Sequence, residues 1–472
     1  MAFGLLLGHS VESISKFMNP NIFQPLPVPG ADEIREILVR RIDEQKQAAG
    51  IVVGIIEPNG RRVVAYGTLA NGDPRTVDGD TIFEIGSVTK VFTSLLLADM
   101  VDRKEVTLDD PAAKYLPETV KMPERNGKSI TLLDLSTHTS GLPRLPSNLK
   151  LKDPHNPYAD YSVDNLYQFL SGYTLPRDPG SEFEYSNLGG GLLGHLLARR
   201  AGTDYESSIA TRITQPLSMP DTGITLSSSM KQRMAIGHNA MLAPVSNWDF
   251  PTLAGAGALR SSANDMLTFL ETFLCYKESP LEPAMQAMLA VRRPAGQTKI
   301  GLGWLIYSTD GREIAWHNGG TGGFRSWVGY DPKERLGVVV LSNAGGVDDI
   351  GFHLLNPNVP LANPVPPKAP KQHTEIHIDP QLLDNYTGRY QLTPNLIFEI
   401  TRDGDRLFAQ GLAQVTGQSV VLPKFELFAE GEKNFFARVA DNQITFETGP
   451  EGRATSLILH RAGSDMPAAR LP

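Results

Sequence analysis

A single cysteine, Cys275, stands among 472 residues. No intrachain disulfide can form, so stability must come from the core. The formal net charge is −8 and no basic block interrupts it, which excludes a nucleic-acid footprint. No uninterrupted apolar run reaches the roughly 18 residues a membrane-spanning helix needs. There is no HExxH or CxxC pattern, so no zinc motif is present and no metal is expected. There is no GxSxG elbow either, which argues against an α/β-hydrolase. The opening MAFGLLLGH is apolar, but the first basic residue is Lys16, so the charged flank of an export signal is missing. Residues 1–29 are read as an N-terminal extension, and cytoplasmic and exported locations both stay open.

What is present is the composition of a water-soluble protein: 41% hydrophobic and 20% charged residues. The length suggests two or three domains. Residues 31–48 place Ile34, Ile37, Leu38 and Ile42 at helical spacing. IVVGIIE and RRVVAYGTL then flank Asn59-Gly60, a hairpin signal. Strand signals fade for about two hundred residues, leaving helical patterns at 88–102, 131–137, 163–171, 188–201, 205–214 and 263–276. Strands return as GLGWLIYS and REIAWHN around Asp310-Gly311, followed by SWVGYD and RLGVVVLSN. The simplest closure joins early and late strands in one antiparallel sheet, with helices on its faces and a helical domain inserted. Seven prolines between 351 and 380 suggest an extended linker, and the many short strands beyond it a small all-β sandwich or barrel. The expected division is 30–350 for the main domain, 351–380 for the linker and 381–465 for the barrel.

Two motifs mislead. Gly189, Gly191 and Gly194 satisfy GxGxxG but follow Tyr-Ser-Asn rather than a strand, so they read as a glycine-lined helix packed closely on its neighbours. Asn126-Gly127-Lys128-Ser129 ends like a phosphate-binding loop, yet Met122 stands where the first glycine is required. The pair His373/His377 in the proline-rich stretch is not a metal site on spacing alone.

Three segments carry chemistry together. Ser-x-x-Lys occurs at Ser13/Lys16, Ser87/Lys90, Ser147/Lys150 and Ser228/Lys231, and only the second has context. Ser87 opens VTKVFTSLLLADMV, and a spacing of three puts Ser87 and Lys90 on one helix face. A helix this apolar is expected to be buried, and burial disfavours an ammonium, so Lys90 is a candidate neutral base. The helix N-terminus points N–H groups toward Ser87, which suits an oxyanion. Tyr185-Ser186-Asn187 is the sole Tyr-x-Asn, at a loop-to-helix junction. A tyrosine near lysine can share the proton load, and Asn187 can hold Lys90 or a substrate carbonyl. Read alone, the segment would be a core tyrosine with a capping asparagine. His317-Asn318-Gly319-Gly320 ends the strand REIAWHN, where glycines let backbone approach a ligand and the Gly320 N–H is a second oxyanion donor.

In this order the segments resemble the penicillin-recognising serine hydrolases, the group of class C β-lactamases, family VIII carboxylesterases and D-stereospecific (D-Ala-D-Ala) peptidases. HTSGLP at 138–143, Pro179-Gly180, Gly255-Ala-Gly257 and GLGW at 301–304 add to the likeness, which covers roughly 30–345. The tail resembles the lipocalin-like barrel appended to some members. The resemblance implies a β-lactamase/transpeptidase-like α/β (α+β) fold and an acyl-enzyme on Ser87. It implies Lys90 and Tyr185 as general base and acid, and Asn187, His317, Asn318, Gly319 and Gly320 in substrate binding. It also implies an oxyanion hole from the Ser87 and Gly320 N–H groups, with no cofactor. Many members carry Lys-Thr-Gly where this chain has His317-Asn318-Gly319. A mostly neutral histidine should grip a substrate carboxylate less firmly than lysine. That shifts the expectation toward a carboxylesterase, with β-lactamase and D-amino-acid peptidase activities as alternatives. A site that acylates and stalls, a penicillin-binding sensor, is the reading from another class. The partner expected is a small-molecule or peptide substrate; oligomeric state is left open.

Overall fold

The computed structural model describes residues 28–471 apart from Leu151, Pro154, Asp310 and the segments 367–372, 394–395, 416–417, 422–423, 439–441 and 462–463. The expected N-terminal extension therefore lies, up to residue 27, outside the described residues. The chain forms two compact units that divide at residues 367/368.

The first unit is built on an eight-stranded antiparallel sheet. Its strands are β1 (Gly50–Glu57), β2 (Gly60–Gly67), β3 (Arg293–Ala295), β4 (Thr298–Ile300), β5 (Leu305–Thr309), β6 (Arg312–Gly320), β7 (Arg325–Asp331) and β8 (Leu336–Ser342). The order β2-β1-β8-β7-β6-β5-β4-β3 joins the early hairpin to the late strands through β1 and β8, with Val53 opposite Val340. Alternation decides which side chains meet which layer. Ile51, Val53 and Ile55 enter one core, while Val52 and Ile56 enter the other. β8 does the same, sending Val338 and Val340 one way and Val339 and Leu341 the other. A sheet buried on both faces must be covered twice. On one side lie α1 (Ala31–Val39), through Ile34 and Leu38, and α7 (Asp348–Leu355), through Phe352. On the other lie α5 (Ala263–Phe273), through Leu267 and Leu270, and the helical insertion. Gly54 lets α5 lie this close, since a Cβ there would come within 2.9 Å of Leu267.

The insertion contains α2 (Thr89–Asp102), α3 (Val163–Gly172) and α4 (Asn187–Ala201), with α6 (Glu282–Ala290) following α5. Every residue of α2 from Thr89 to Met100 is buried, which fits its lack of a polar face. α4 is the glycine-lined helix: Cβ atoms would come within 3.0 Å of Lys90 at Gly190, 2.6 Å of Leu253 at Gly191 and 2.9 Å of Gly255 at Gly194. Its glycines serve packing, not a phosphate.

Two elements depart from the sequence reading. β3 and β4 form an extra edge hairpin, invisible because Pro294 and Lys299 break any apolar alternation. Helix α7 occupies the start of the stretch expected to be linker. Its Phe352 ring lies 4.8 Å from Trp316 and 5.0 Å from Trp327, so it belongs to the sheet's cover.

The second unit is an antiparallel barrel. Eight strands close on themselves: β9 (Gly388–Thr393), β10 (Leu396–Asp403), β11 (Arg406–Val415), β13 (Phe425–Ala429), β14 (Asn434–Ala437), β15 (Asn442–Thr448), β16 (Ala454–Arg461) and β17 (Ser464–Arg470). β10 pairs β11 to complete the ring, and β12 (Gln418–Val421) extends β11 as a hairpin. Closure leaves few free edges. Phe435, Phe446, Tyr390 and Leu457 fill the interior.

Candidate active site

The turn before α2 places the nucleophile candidate. Residues Gly86–Val88 make a short 3₁₀ turn that leads directly into the buried helix. The Ile85 carbonyl accepts a hydrogen bond from Ser326 Oγ at 2.7 Å, and the Ile85 N–H donates to Leu259 O at 3.1 Å. Gly86 then turns the chain with φ +51. The end of β6 runs against this turn. A Cβ on Gly319 would lie 2.0 Å from Ile85 O, and one on Gly86 would lie 2.6 Å from Gly320 N. Glycine at both places is a requirement of contact, and it brings the Gly320 backbone beside Ser87. Gly86→Ala combines a left-handed backbone with a backbone clash. It is expected to lower turnover by about 10²-fold or more, as displaced oxyanion donors do. Steady-state rates on a chromogenic ester, with circular dichroism to verify folding, check this.

Lys90 sits one helical turn on, 3% exposed. Its Nζ lies 3.0 Å from Ser87 Oγ, 2.9 Å from Asn187 Oδ1 and 2.7 Å from Ala256 O. The amide oxygen and the carbonyl only accept, so they take two N–H donors. A neutral amine then has one lone pair left, and the remaining neighbour is a hydroxyl able to donate. Burial, with a smaller contribution from the Arg144 charge, holds Lys90 well below the usual lysine range. Desolvation favours the unprotonated amine, and the geometry places its Nζ within hydrogen-bond reach of Ser87 Oγ.

Tyr185 and Asn187 arrive on the segment that starts α4. Ser186 caps that helix through its side chain to the Gly189 N–H at 2.8 Å. The Tyr185 ring centroid is 5.0 Å from Lys90 Nζ, and its hydroxyl hydrogen-bonds Ser87. Burial nonetheless pushes the phenol up to about 12, so it keeps its proton. Asn187 donates its Nδ2 to the Tyr158 hydroxyl at 3.1 Å, which leaves Oδ1 turned to Lys90.

His317 is buried, its Nδ1 2.6 Å from Asn318 O, with its ring 6.2 Å from that of Tyr185. Burial, the first cause, lowers it to about 3. It carries no charge at neutral pH. Asn318 donates to Asp348 Oδ2 at 2.7 Å, tying the strand end to α7. The structure therefore brings together Ser87, Lys90, Tyr185, Asn187, His317 and the Gly319–Gly320 backbone, with Asn318 turned to Asp348.

Three neighbours were not singled out as site residues from sequence. His138 packs against Tyr185 with ring centroids 4.4 Å apart and planes tilted by 39°, and accepts the Ser186 N–H at 3.2 Å. Tyr158 holds Asn187, and Arg144 lies over Tyr185 with Cζ 5.2 Å from the ring centroid. HTSGLP marked the neighbourhood of the first and last, but nothing in the spacing announced Tyr158. Among the described residues no group of His, Cys, Asp and Glu is placed to hold a metal, and no helix is long and apolar enough to cross a membrane. A cavity of about 890 Å³ near β2, lined in part by Tyr66, Asn71 and Leu242, shares no residue with this site.

A buried antiparallel sheet, an inserted helical domain and a serine–lysine pair at the head of its central helix define a penicillin-recognising serine hydrolase. The chain belongs to the Beta-lactamase family, whose model matches residues 36–352. Residues 372–469 match a family described as a domain of unknown function (DUF3471). The chain is 30% identical over 356 residues to the D-alanyl-D-alanine-carboxypeptidase/endopeptidase AmpH of Escherichia coli (strain K12), covering 71% of this chain and 90% of that protein. It is 24% identical over 431 residues to Penicillin-binding protein 4* of Bacillus subtilis (strain 168), covering 86% and 91%. The crystal structure of a class C beta lactamase from Rhodobacter sphaeroides superposes with a TM-score of 0.59 at 26% identity, covering 69% of this chain and 97% of that one.

Proposed function

We propose that the protein hydrolyses acyl donors through an acyl-Ser87 intermediate, with carboxylesterase-type activity favoured. The observation that carries the mechanism is the Lys90 amine, held by two acceptors with its third neighbour the Ser87 hydroxyl. Lys90 takes the Ser87 proton as Oγ attacks the substrate carbonyl. The carbonyl oxygen becomes an oxyanion facing the Ser87 and Gly320 N–H groups. As the tetrahedral intermediate collapses, the bond to the leaving group breaks. Tyr185, which keeps its proton, delivers it to the departing oxygen or nitrogen and is recharged from the Lys90 ammonium. Water then attacks the acyl-enzyme, Lys90 again takes the proton, and Ser87 leaves with it. No cofactor enters any step, and every residue involved lies in the first unit, which supports placing catalysis there.

The uncharged His317 supports the ester preference, since that position offers no fixed cation. A second reading, β-lactam hydrolysis or D-alanyl peptide cleavage, is favoured by the relatives' names. Side-by-side assays test both. Wild-type protein is expected to turn over p-nitrophenyl acetate repeatedly and to exceed its rates on a chromogenic cephalosporin and on a peptide ending in D-Ala-D-Ala. A burst of one equivalent followed by silence on all three would replace the enzyme reading with the sensor.

A further inference from the structure

The electrostatics of the site leave one charge unanswered. Lys90, His138 and His317 are all driven toward their neutral forms, burial being the first cause in each case. Arg144 cannot follow them, because a guanidinium does not deprotonate in a protein. Its backbone is fixed at the head of α4: the Arg144 carbonyl accepts the N–H groups of Asn187 at 3.0 Å and Leu188 at 3.2 Å. The half-buried side chain crosses the Tyr185 ring at 5.2 Å, and its charge is felt by Lys90, His138, Tyr158 and Tyr185. Other sheltered arginines are answered. Arg260 pairs with Glu84 at 3.2 Å, Arg293 with Asp134 at 2.7 Å and Arg212 with Asp99 at 3.0 Å. Arg325, beside Gly320, is spent on the Thr321 and Phe324 carbonyls, both at 2.7 Å. Among the described residues no carboxylate lies within 4.0 Å of the Arg144 guanidinium.

We propose that Arg144 is a specificity-determining residue whose guanidinium binds a carboxylate carried by the substrate close to the scissile acyl bond. The inference rests on the acyl-Ser87 reading and refines it: between two acyl donors of equal intrinsic reactivity, the one bearing an anion near the reacting carbonyl is preferred. A guanidinium matches a carboxylate through two parallel hydrogen bonds, and partial burial keeps the pair from being screened away. The cation that the third motif lacks is thus supplied by the segment that follows HTSGLP.

Two thioesters that differ only in charge test this: N-benzoylglycyl thioglycolic acid and its methyl ester. Acyl group, leaving sulfur and chromophore are shared, so the ratio of their kcat/KM values isolates the carboxylate. Wild type is expected to favour the acid by about tenfold or more, as a charge-assisted pair allows. Arg144→Leu should bring that ratio down by about tenfold through KM, and Arg144→Lys should keep most of it. A wild-type ratio near one overturns the proposal without any variant, as does an Arg144→Leu protein that retains the wild-type ratio. Failure of wild type to cleave either thioester overturns the acyl-Ser87 reading itself, and the two failures are therefore distinguishable.

Discussion

Replacing Ser87 by alanine is expected to leave a folded protein that neither turns over esters nor takes up a covalent label. The substitution removes one hydroxyl and little else. Lys90 keeps its Asn187 and Ala256 partners, and the turn is held by Ser326 and Leu259 through Ile85, not by the Ser87 side chain. The neighbouring serines are committed elsewhere. Ser326 Oγ is committed to Ile85 O, and Ser94 and Ser136 are bonded to each other at 2.8 Å. Loss of a serine nucleophile costs on the order of 10⁶ in kcat when base and oxyanion donors stay in place. Intact-mass measurement after incubation with an activated ester or a penicillin reads the result directly. Wild type should gain the mass of one acyl group and Ser87→Ala none. A label that persists in the variant would move the nucleophile elsewhere and sink the mechanism.

Much of this was legible in the chain because local chemistry and tertiary role coincide. Asn59-Gly60 signals the hairpin that joins β1 to β2, and β5 and β6 pair antiparallel on either side of the second signal, whose Asp310 lies outside the described residues. The all-round apolar character of 88–102 told of burial, and burial is the first cause that lowers the Lys90 pKa. Glycines at 189–194 and 319–320 were readable as close-approach positions, though not what they approach: Lys90, Leu253 and Gly255 in one case, Ile85 and Ser326 in the other. The illegible parts are those where meaning arises between distant segments. Tyr158 matters only because α4 brings Asn187 to it, and Arg144 only because its carbonyl receives the α4 N–H groups. α7 hid for another reason. Its apolar face is short and adjoins a run of prolines, so the linker signal masked a helix whose Phe352 fits between two tryptophans.

The division of labour between Lys90 and Tyr185 yields the second large effect. Lys90→Met and Tyr185→Phe should each lower kcat/KM by about 10²–10⁴, the usual weight of a general acid or base. The two differ in their pH dependence. A base acts when unprotonated, so wild-type kcat/KM rises as pH passes the Lys90 pKa, and that rise falls below the ordinary lysine value near 10.4 because the amine is desolvated. Tyr185, pushed up to about 12, stays protonated across the working range and contributes no limb below pH 10. Lys90→Met should therefore flatten the rise, whereas Tyr185→Phe should keep it on a lower plateau. The opposite pattern, a rise that survives in Lys90→Met and vanishes in Tyr185→Phe, would make a tyrosinate the base and reverse the two roles. Thermal melts belong beside the kinetics. Lys90→Met leaves the Asn187 and Ala256 acceptors unpaired, at about 1–3 kcal/mol each, while it removes a desolvated amine. A modest shift in melting temperature beside a collapse in rate is the expected signature of a residue whose burial serves chemistry.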